Sequence, residues 1–328
     1  MCEKLLEIID LHVRYKTDEA VVCAVNGLNL SVNKGEILGL VGETGAGKTT
    51  TALSVLQLLP KKIGRIERGH IFLEGLELTK FNEIQMRRLR GDRISMIFQD
   101  PMTSLNPILR IGDQIAESLE LHRKDMSKSQ IADRVDEILQ MVGIGADRKR
   151  DFPHQFSGGM KQRVVIAIGL ACEPQLLLAD EPTTALDVTI QAQVLEMMSE
   201  LKEMLGMAMI LITHDLGVVA QTCDRVAIMY AGRIIEIGDV AHIFMGERHH
   251  PYTEGLFGSI PDMTNKTKRL NPVAGMMPDP TDLPSGCSFH PRCNHCMDIC
   301  RIQVPKPVGF DEHFISCYRF AGRGSKTI

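Results

Sequence analysis

The sequence contains no long apolar run, no excess of positive charge and no N-terminal leader. No stretch approaches the about 18 uninterrupted apolar residues of a membrane-spanning helix. The formal net charge is −4, which does not indicate nucleic-acid binding. The first ten residues are mixed and acidic, unlike a signal peptide. These absences predict a cytoplasmic protein that binds no nucleic acid.

Repeats and low-complexity tracts are also lacking, and the composition is that of an ordinary globular chain. A length of 328 residues suffices for one large domain or two. The composition changes near Gly246, beyond which Pro, His and Cys become frequent. We therefore predict a core domain over residues 1–245 and a Cys-rich C-terminal extension over residues 246–328.

One segment of the core matches G-x-x-x-x-G-K-[ST], the P-loop of nucleotide triphosphatases. An apolar strand precedes it and a helical pattern follows it, which favours a phosphate cradle over a Gly-rich turn with a solvated lysine. Its backbone N–H groups would bind an anion at a helix N-terminus. Lys48 would reach the β- and γ-phosphates, and the Thr49 hydroxyl would hold Mg²⁺. The predicted ATP-binding residues are Gly42, Glu43, Thr44, Gly45, Ala46, Gly47, Lys48, Thr49 and Thr50.

Short apolar strands alternate with helical patterns along the core, which predicts an α/β fold with a parallel sheet and an antiparallel edge. Residues 3–38 alternate apolar and polar side chains, as antiparallel strands do. Residues 111–142 have helical periodicity, and we predict a mostly helical subdomain over about 100–172. Residues 176–181 form a continuous apolar run that ends in two carboxylates, typical of a central parallel strand.

Those two carboxylates are candidates for catalysis, because ligands bind where the strands of an α/β sheet end. Asp180 is suited to the Mg²⁺ shell through water. Glu181 can polarise the water that attacks the γ-phosphate, as a general base. An isolated Asp-Glu pair is more often a solvated helix cap, but the apolar run before it and the P-loop favour the catalytic interpretation.

Other polar residues occupy similar positions, with roles that spacing alone does not establish. Gln99 follows a buried strand, and its amide can bind Mg²⁺ and the attacking water. His214 ends the next strand and can donate to the γ-phosphate, although a lone histidine is more often packed or at the surface. The turn at Ser157 is followed by two glycines at the head of a helix, as in a second phosphate cradle or an ordinary helix start.

Taken together, these motifs resemble the ATP-binding subunits of ABC transporters over roughly residues 4–245. The resemblance implies a P-loop NTPase (RecA-like) cassette with an antiparallel β subdomain and a helical subdomain. The motifs occur in the family's order and spacing: the P-loop (42–49), Q-loop (Gln99), signature (156–162), Walker B (176–181), D-loop (185–187) and H-loop (His214). The family's catalytic positions map to Glu181, His214 and Gln99, and its Mg²⁺ positions to Thr49, Gln99 and Asp180.

The resemblance further implies a head-to-tail dimer in which the signature of one chain binds the ATP held by the other. The signature positions are Ser157, Gly158, Gly159 and Met160, with Met160 standing where the family commonly has Gln. The D-loop aspartate maps to Asp187, and the aromatic residue that stacks on adenine maps to Tyr15.

Four segments are similar to the dipeptide, oligopeptide and nickel importer group: residues 98–107, 179–188, 250–253 and 283–293. Some members of that group hold a [4Fe–4S] cluster on a C-x₅-C-x₆-C-x₁₆-C pattern, and this chain has it at Cys287, Cys293, Cys300 and Cys317. Cys296 is additional and forms a Cys-x-x-Cys pair with Cys293. A zinc set without Cys317 and a group of unmetallated thiols are therefore alternatives to the cluster.

The resemblance implies an importer ATPase at the cytoplasmic face of the membrane. Its partners would be two transmembrane permease subunits, a second homologous ATPase subunit in a heterodimer and, indirectly, an extracytoplasmic substrate-binding protein. The alternative is a soluble ABC ATPase with a redox- or metal-sensing C-terminal module. That class usually has two cassettes or a long coiled coil, and this sequence has neither. The transported substrate is not encoded in such a chain.

Overall fold

The computed structural model describes residues 3–184, 186–259, 273–322 and 326–327. Contacts divide the chain into two compact units. Unit 1 comprises residues 1–6, 31–37 and 72–213, and unit 2 comprises residues 7–30, 38–71 and 214–328. Within the described ranges, no helix is both long enough and apolar enough to cross a bilayer.

Strands and helices alternate along most of the chain. The strands are β1 (Lys4–Lys16), β2 (Val21–Asn33), β3 (Ile37–Val41), β4 (Gly64–Leu73), β5 (Leu76–Glu77), β6 (Ile94–Ile97), β7 (Leu176–Asp180), β8 (Ala208–Thr213), β9 (Arg225–Tyr230), β10 (Arg233–Asp239), β11 (Val308–Phe310), β12 (His313–Ile315) and β13 (Lys326–Thr327). The α-helices are α1 (Lys48–Val55), α2 (Glu83–Leu89), α3 (Pro101–Ser104), α4 (Ile111–His122), α5 (Lys128–Met141), α6 (Gly158–Leu170), α7 (Val188–Leu205), α8 (Leu216–Thr222), α9 (Val240–Met245), α10 (Pro251–Phe257) and α11 (Asp298–Ile302). Short 3₁₀ helices occupy Leu78–Lys80, Ala146–Arg150, Pro153–Gln155, His290–Arg292 and Tyr318–Phe320.

The sheet of unit 1 is parallel and buried. Strand β7 lies between β6 and β8, with Leu176 opposite both Ile94 and Ala208. Every residue of β7 and β8 is buried, and α6 packs against β6. A continuous apolar run is what a strand inside a parallel sheet requires, because neither face meets water. The predicted central strand is confirmed.

Helices α3 to α6 fill residues 101–170, where the sequence predicts a helical block. Helix α4 buries Ile115 and Leu119, which are four residues apart and therefore on one face. Helix α5 is capped by Ser127, whose side chain accepts from the backbone of Gln130 while the Gln130 side chain accepts from the backbone of Ser127. This capping box satisfies two N–H groups that the first turn leaves without helical partners.

In unit 2 the P-loop strand β3 pairs in parallel with β9, and Ala231–Gly232 turns the chain back into the antiparallel strand β10. Both turn residues have positive φ, which a tight hairpin requires. The sheet continues from β10 through β12 and β11 to β13. Residues beyond 246 therefore add strands to the sheet that contains the P-loop strand. A second sheet places β2, β1 and β4 side by side.

A buried carboxylate joins these C-terminal strands to β10. Glu236 of β10 has no exposed surface. One oxygen accepts from His249 Nδ1 at 2.9 Å and from His313 Nε2 at 2.8 Å. The other accepts from the backbone N–H of His250 at 2.7 Å and from the Thr253 hydroxyl. Burial raises the pKa of Glu236, but these four donors outweigh burial and lower it to about 2.

The arrangement around His249 favours the doubly protonated ring, which is the form present below pH 6.5. Its Nδ1 faces the Glu236 carboxylate, and its Nε2 lies 2.8 Å from the Gly246 carbonyl oxygen, so both nitrogens donate. Burial favours the neutral ring, yet the bond to Glu236 outweighs burial and raises the pKa of His249. The result is a buried ion pair that contacts β10, α10 and β12.

This ion pair predicts a defined pH dependence of stability. The pKa of Glu236 falls from 4.5 to about 2 on folding, so its contribution is complete above pH 4.5 and is lost as the pH falls towards 2. The pKa of His249 rises on folding, so its contribution is complete below pH 6.5 and is lost at higher pH. Between these limits we expect Glu236→Gln to lower the free energy of unfolding by roughly 3–5 kcal/mol, because it leaves a buried imidazolium unpaired.

Unfolding by urea at several pH values measures this difference. Glu254→Gln is the matched control, because Glu254 pairs with Arg319 at a partly exposed site, where an ion pair contributes little. A wild-type-minus-Glu236→Gln difference that stays constant from pH 3 to pH 9 would contradict the assignment.

Candidate functional site

The P-loop folds as its glycines require. It leaves the buried strand β3 and enters α1 at Lys48. Gly45 and Gly47 have φ of 84° and 104°, a region that residues with a side chain rarely adopt. At Gly42, a Cβ atom would lie 2.2 Å from the carbonyl oxygen of Met229 in β9. The loop is therefore compact, with its backbone close to the strand beneath it.

Lys48 and Tyr15 both lie at the P-loop end of α1. The Lys48 side chain is 7% exposed, and its Nζ donates to the carbonyl oxygens of Gly42 at 2.6 Å and Glu43 at 3.1 Å. The Tyr15 hydroxyl lies 3.2 Å from Thr50 Oγ1, beside the first turn of α1. The structure thus brings Tyr15 to the same helix end as the P-loop.

The predicted catalytic residues of unit 1 meet where β7 ends. Glu181 has φ of 47°, and its N–H donates to Ile212 of β8 at 2.9 Å. The Glu181 carboxylate accepts from Gln99 Nε2 and from the Thr184 hydroxyl, each at 2.9 Å. Asp180, one residue earlier, is 3% exposed. A non-glycine residue with left-handed backbone is strained, and such strain concentrates at functional sites.

Thr184 was not among the predicted site residues. A threonine three residues after Glu181 has no distinctive pattern, and its role becomes visible only when the turn brings its hydroxyl to the carboxylate. Together Gln99 and Thr184 hold one Glu181 oxygen in place.

The signature turn also lies in unit 1 and is a capped helix start. Ser157 is the N-cap of α6 and accepts from the Met160 N–H at 3.4 Å. Asp187 caps α7 in the same way, accepting from Ile190 N–H at 3.0 Å. A Cβ atom on Gly159 would lie 2.6 Å from Ile190 Cγ2, so the two helix starts are in close contact. The structure therefore brings together the signature and Asp187. The D-loop residue Ala185 lies outside the described residues.

His214 is exposed, follows β8 and belongs to unit 2, as the P-loop and Tyr15 do. The next residue, Asp215, caps α8 by accepting from the N–H groups of Gly217 and Val218. This cap fixes the backbone directly after His214.

The four cysteines of the spaced pattern converge. A small cavity of about 10 Å³ is lined by Cys287, Cys293, Cys300 and Cys317, whereas Cys296 is not among its lining residues. Burial raises the pKa of Cys287 and of Cys317 to about 11, and neighbouring thiols contribute to both shifts. Nearby backbone N–H groups act against this rise in pKa: those of Phe289 and His290 at Cys287, that of His295 at Cys293 and that of Arg319 at Cys317.

These sulfurs are not spaced as in a zinc site. Zn–S bonds of about 2.3 Å in a tetrahedron place sulfurs roughly 3.8 Å apart. Among the described residues, the one set of three His, Cys, Asp or Glu ligand atoms within 4.8 Å of one another is Glu236, His249 and His313. The hydrogen bonds described above already account for that set.

Comparison with known proteins places the chain in a family. A family model described as "ABC transporter" matches residues 25–184, and one described as "Oligopeptide/dipeptide transporter, C-terminal region" matches residues 235–300. The oligopeptide transport ATP-binding protein AppD of Bacillus subtilis is 48% identical, over 98% of both chains. The dipeptide transport ATP-binding protein DppD of the same organism is 47% identical, over 96% of this chain and 95% of its own.

The solved structures that resemble this chain include ABC cassettes. The dimeric ATP-binding cassette MJ0796, bound to ADP and Pi, superposes with a TM-score of 0.64 at 26% identity, over 72% of this chain and 98% of that one. The fold is therefore that of an ABC cassette, a P-loop NTPase with mixed α/β sheets. The two Bacillus relatives are transport proteins, which gives no support to the soluble alternative. The chain belongs to the ABC transporter family, as an ATP-binding subunit of a peptide importer.

Proposed function

We propose that this chain hydrolyses ATP with Glu181 as the general base, in a site completed by a second ATPase subunit. The observation that carries the proposal is the bond from Gln99 to the Glu181 carboxylate at the end of β7. A carboxylate held by an amide and a hydroxyl has one defined orientation, which proton abstraction from a positioned water requires.

The remaining roles follow the family's arrangement. The N–H groups of Gly45 to Lys48 would receive the β- and γ-phosphates, and Lys48 would exchange its bonds to loop carbonyls for phosphate oxygens. His214 would donate to the γ-phosphate, and Tyr15 would stack on the adenine. Across the dimer, the capped turn of Ser157, Gly158 and Gly159 would contact the partner's ATP through a helix N-terminus.

Mg²⁺ is expected with ATP. Thr49, Gln99 and Asp180 would hold it directly or through water, and each offers the oxygen type that Mg²⁺ prefers. When bound, the ion neutralises charge that develops on the phosphate oxygens.

We further propose that two permease subunits and a homologous ATPase subunit are the partners of this chain at the cytoplasmic face of the membrane. The peptide transport relatives and the C-terminal family match support this arrangement. An extracytoplasmic substrate-binding protein would deliver the peptide to the permease.

The Glu181 assignment is testable in the assembled transporter. We expect Glu181→Gln to lower kcat for ATP hydrolysis by about a hundredfold or more while ATP binding persists, because the amide cannot accept the proton. Steady-state phosphate release and retained nucleotide measure the two effects. Glu200→Gln on the exposed side of α7 is the control. Wild-type turnover in Glu181→Gln would remove the residue from the base role.

For the extension, we propose that Cys287, Cys293, Cys300 and Cys317 hold a [4Fe–4S] cluster. The position of all four around one cavity supports this ligand set, as do the backbone N–H groups that favour the thiolate at three of them. Cys317 lines that cavity and Cys296 does not, which disfavours a zinc set that omits Cys317. When bound, a cluster would supply a redox-active centre that cross-links four segments of the extension.

Two serine variants distinguish the ligand sets. After anaerobic purification, we expect iron and acid-labile sulfide in the wild type and in Cys296→Ser, and loss of both in Cys317→Ser. The physical reason is that each iron needs one thiolate ligand. Zinc in the wild type that is lost in Cys296→Ser and kept in Cys317→Ser would establish the alternative set. A wild type that contains neither metal would overturn both.

A further inference from the structure

An arginine of the C-terminal extension holds the second residue of the P-loop. Arg292 Nη1 lies 3.0 Å from Glu43 Oε2, and Arg292 Nη2 lies 3.2 Å from Glu43 Oε1. The pair is bidentate, and the Arg292 side chain is only 6% exposed. Two parallel bonds fix direction as well as distance, so the Glu43 carboxylate has one orientation.

The backbone of the same P-loop residue is held from a second direction. The Glu43 N–H donates to the Tyr252 hydroxyl at 3.0 Å, and Tyr252 of α10 is fully buried. Both the side chain and the amide of Glu43 are thus bound by residues beyond position 246, and all of them lie in unit 2.

Arg292 is itself immobilised. Its Nε donates to the Ala274 carbonyl at 2.8 Å, and Nη2 also donates to the Val273 carbonyl at 3.3 Å. Its guanidinium lies 5.7 Å from the centre of the Tyr230 ring. An arginine with this many fixed partners loses little further entropy when it holds a carboxylate.

Three aromatic rings connect this contact to the cysteine cavity. The ring centres of Tyr230, Tyr252 and Phe289 lie 4.7 to 5.5 Å apart. Phe289 also lines the cavity that the four cysteines share, and Arg292 directly precedes Cys293. The cavity and the P-loop are therefore joined through packed side chains.

The contact matters for nucleotide binding for electrostatic and geometric reasons. Glu43 precedes the N–H groups assigned to the phosphates, and an unpaired carboxylate there would repel a triphosphate. The loop beyond Glu43 contains Gly45 and Gly47, which are permissive in φ and do not order the loop by themselves. Arg292 neutralises the carboxylate, and together with Tyr252 it fixes the start of the loop.

We propose that Arg292 and Tyr252 are positioning residues for ATP, through which the C-terminal extension sets the nucleotide affinity of the P-loop. The inference rests on the proposed role of residues 42–49 as the ATP site. It assigns the extension a part in binding the nucleotide and no part in the chemical step.

The test uses the assembled transporter. ATP affinity is measured in the absence of hydrolysis, and KM and kcat are measured separately during turnover. We expect Arg292→Ala to weaken ATP binding and raise KM about tenfold, within the usual range of coupling between sites, with kcat within twofold of wild type. Arg292→Lys keeps the charge but not the fork, so it should restore part of the loss. Tyr252→Phe removes one hydrogen bond and should have a smaller effect of the same kind.

Combining Arg292→Ala with Glu43→Gln tests the electrostatic reason. Because the second change removes the unpaired carboxylate, the double variant should bind ATP more tightly than Arg292→Ala alone. Simple additivity of the two changes would contradict the coupling. Arg319→Ala is the matched control, because the Arg319 side chain pairs with Glu254 within the extension. It should leave ATP affinity unchanged.

Different variants test the positioning role of Arg292 and Tyr252 and the assignment of the P-loop as the ATP site. Wild-type affinity in both Arg292→Lys and Tyr252→Phe, with unchanged melting temperatures, would overturn the inference even if Arg292→Ala does not fold. Lys48→Ala should abolish ATP binding in either case. Normal ATP binding by Lys48→Ala would instead contradict the phosphate site itself.

Discussion

The close approach of backbones beneath the P-loop is the constraint on which the rest of unit 2 depends. Cβ atoms at Gly42 and Gly47 would lie 2.2 Å from the Met229 oxygen and 2.5 Å from the Ala24 oxygen. Only glycine fits at these two positions, so β3, β9 and β2 can pack tightly around the loop. The conformation of the loop is therefore determined by the neighbouring strands as much as by its own sequence. A substitution in those strands would change the loop and, through the loop, nucleotide binding.

Residues beyond 246 add further contacts to the strands and the loop of unit 2. Strand β12 pairs with β10, and the Glu236 network binds α10 and β12 to the same strand. Arg292 binds the Glu43 carboxylate in the P-loop, and the Tyr252 hydroxyl accepts from the Glu43 N–H. A chain segment that resembles an appendage in composition is thus part of the framework that shapes the P-loop.

Local patterns predicted the cassette well, because each of its motifs is continuous in sequence. The P-loop glycines, the buried run of β7 and the cap at Ser157 depend on neighbours a few residues away. The C-terminal contacts do not. Strands β11 and β12 have three residues each, too few for a visible alternation, and they form by long-range pairing, β12 with β10 and β11 with β12. The burial of Glu236 depends on His249 and His313, which come from separate segments.

The edge of strand β10 has a consequence for association between chains. With β12 in place, the backbone groups of Glu236 and Ile237 are covered by Ile315 and Phe314. Without that cover, β10 would present open N–H and C=O groups along an apolar strand, which is a template for pairing with another chain. Strand β12 thus removes an open edge at which two chains could pair, and it does so while extending the sheet that contains the P-loop strand.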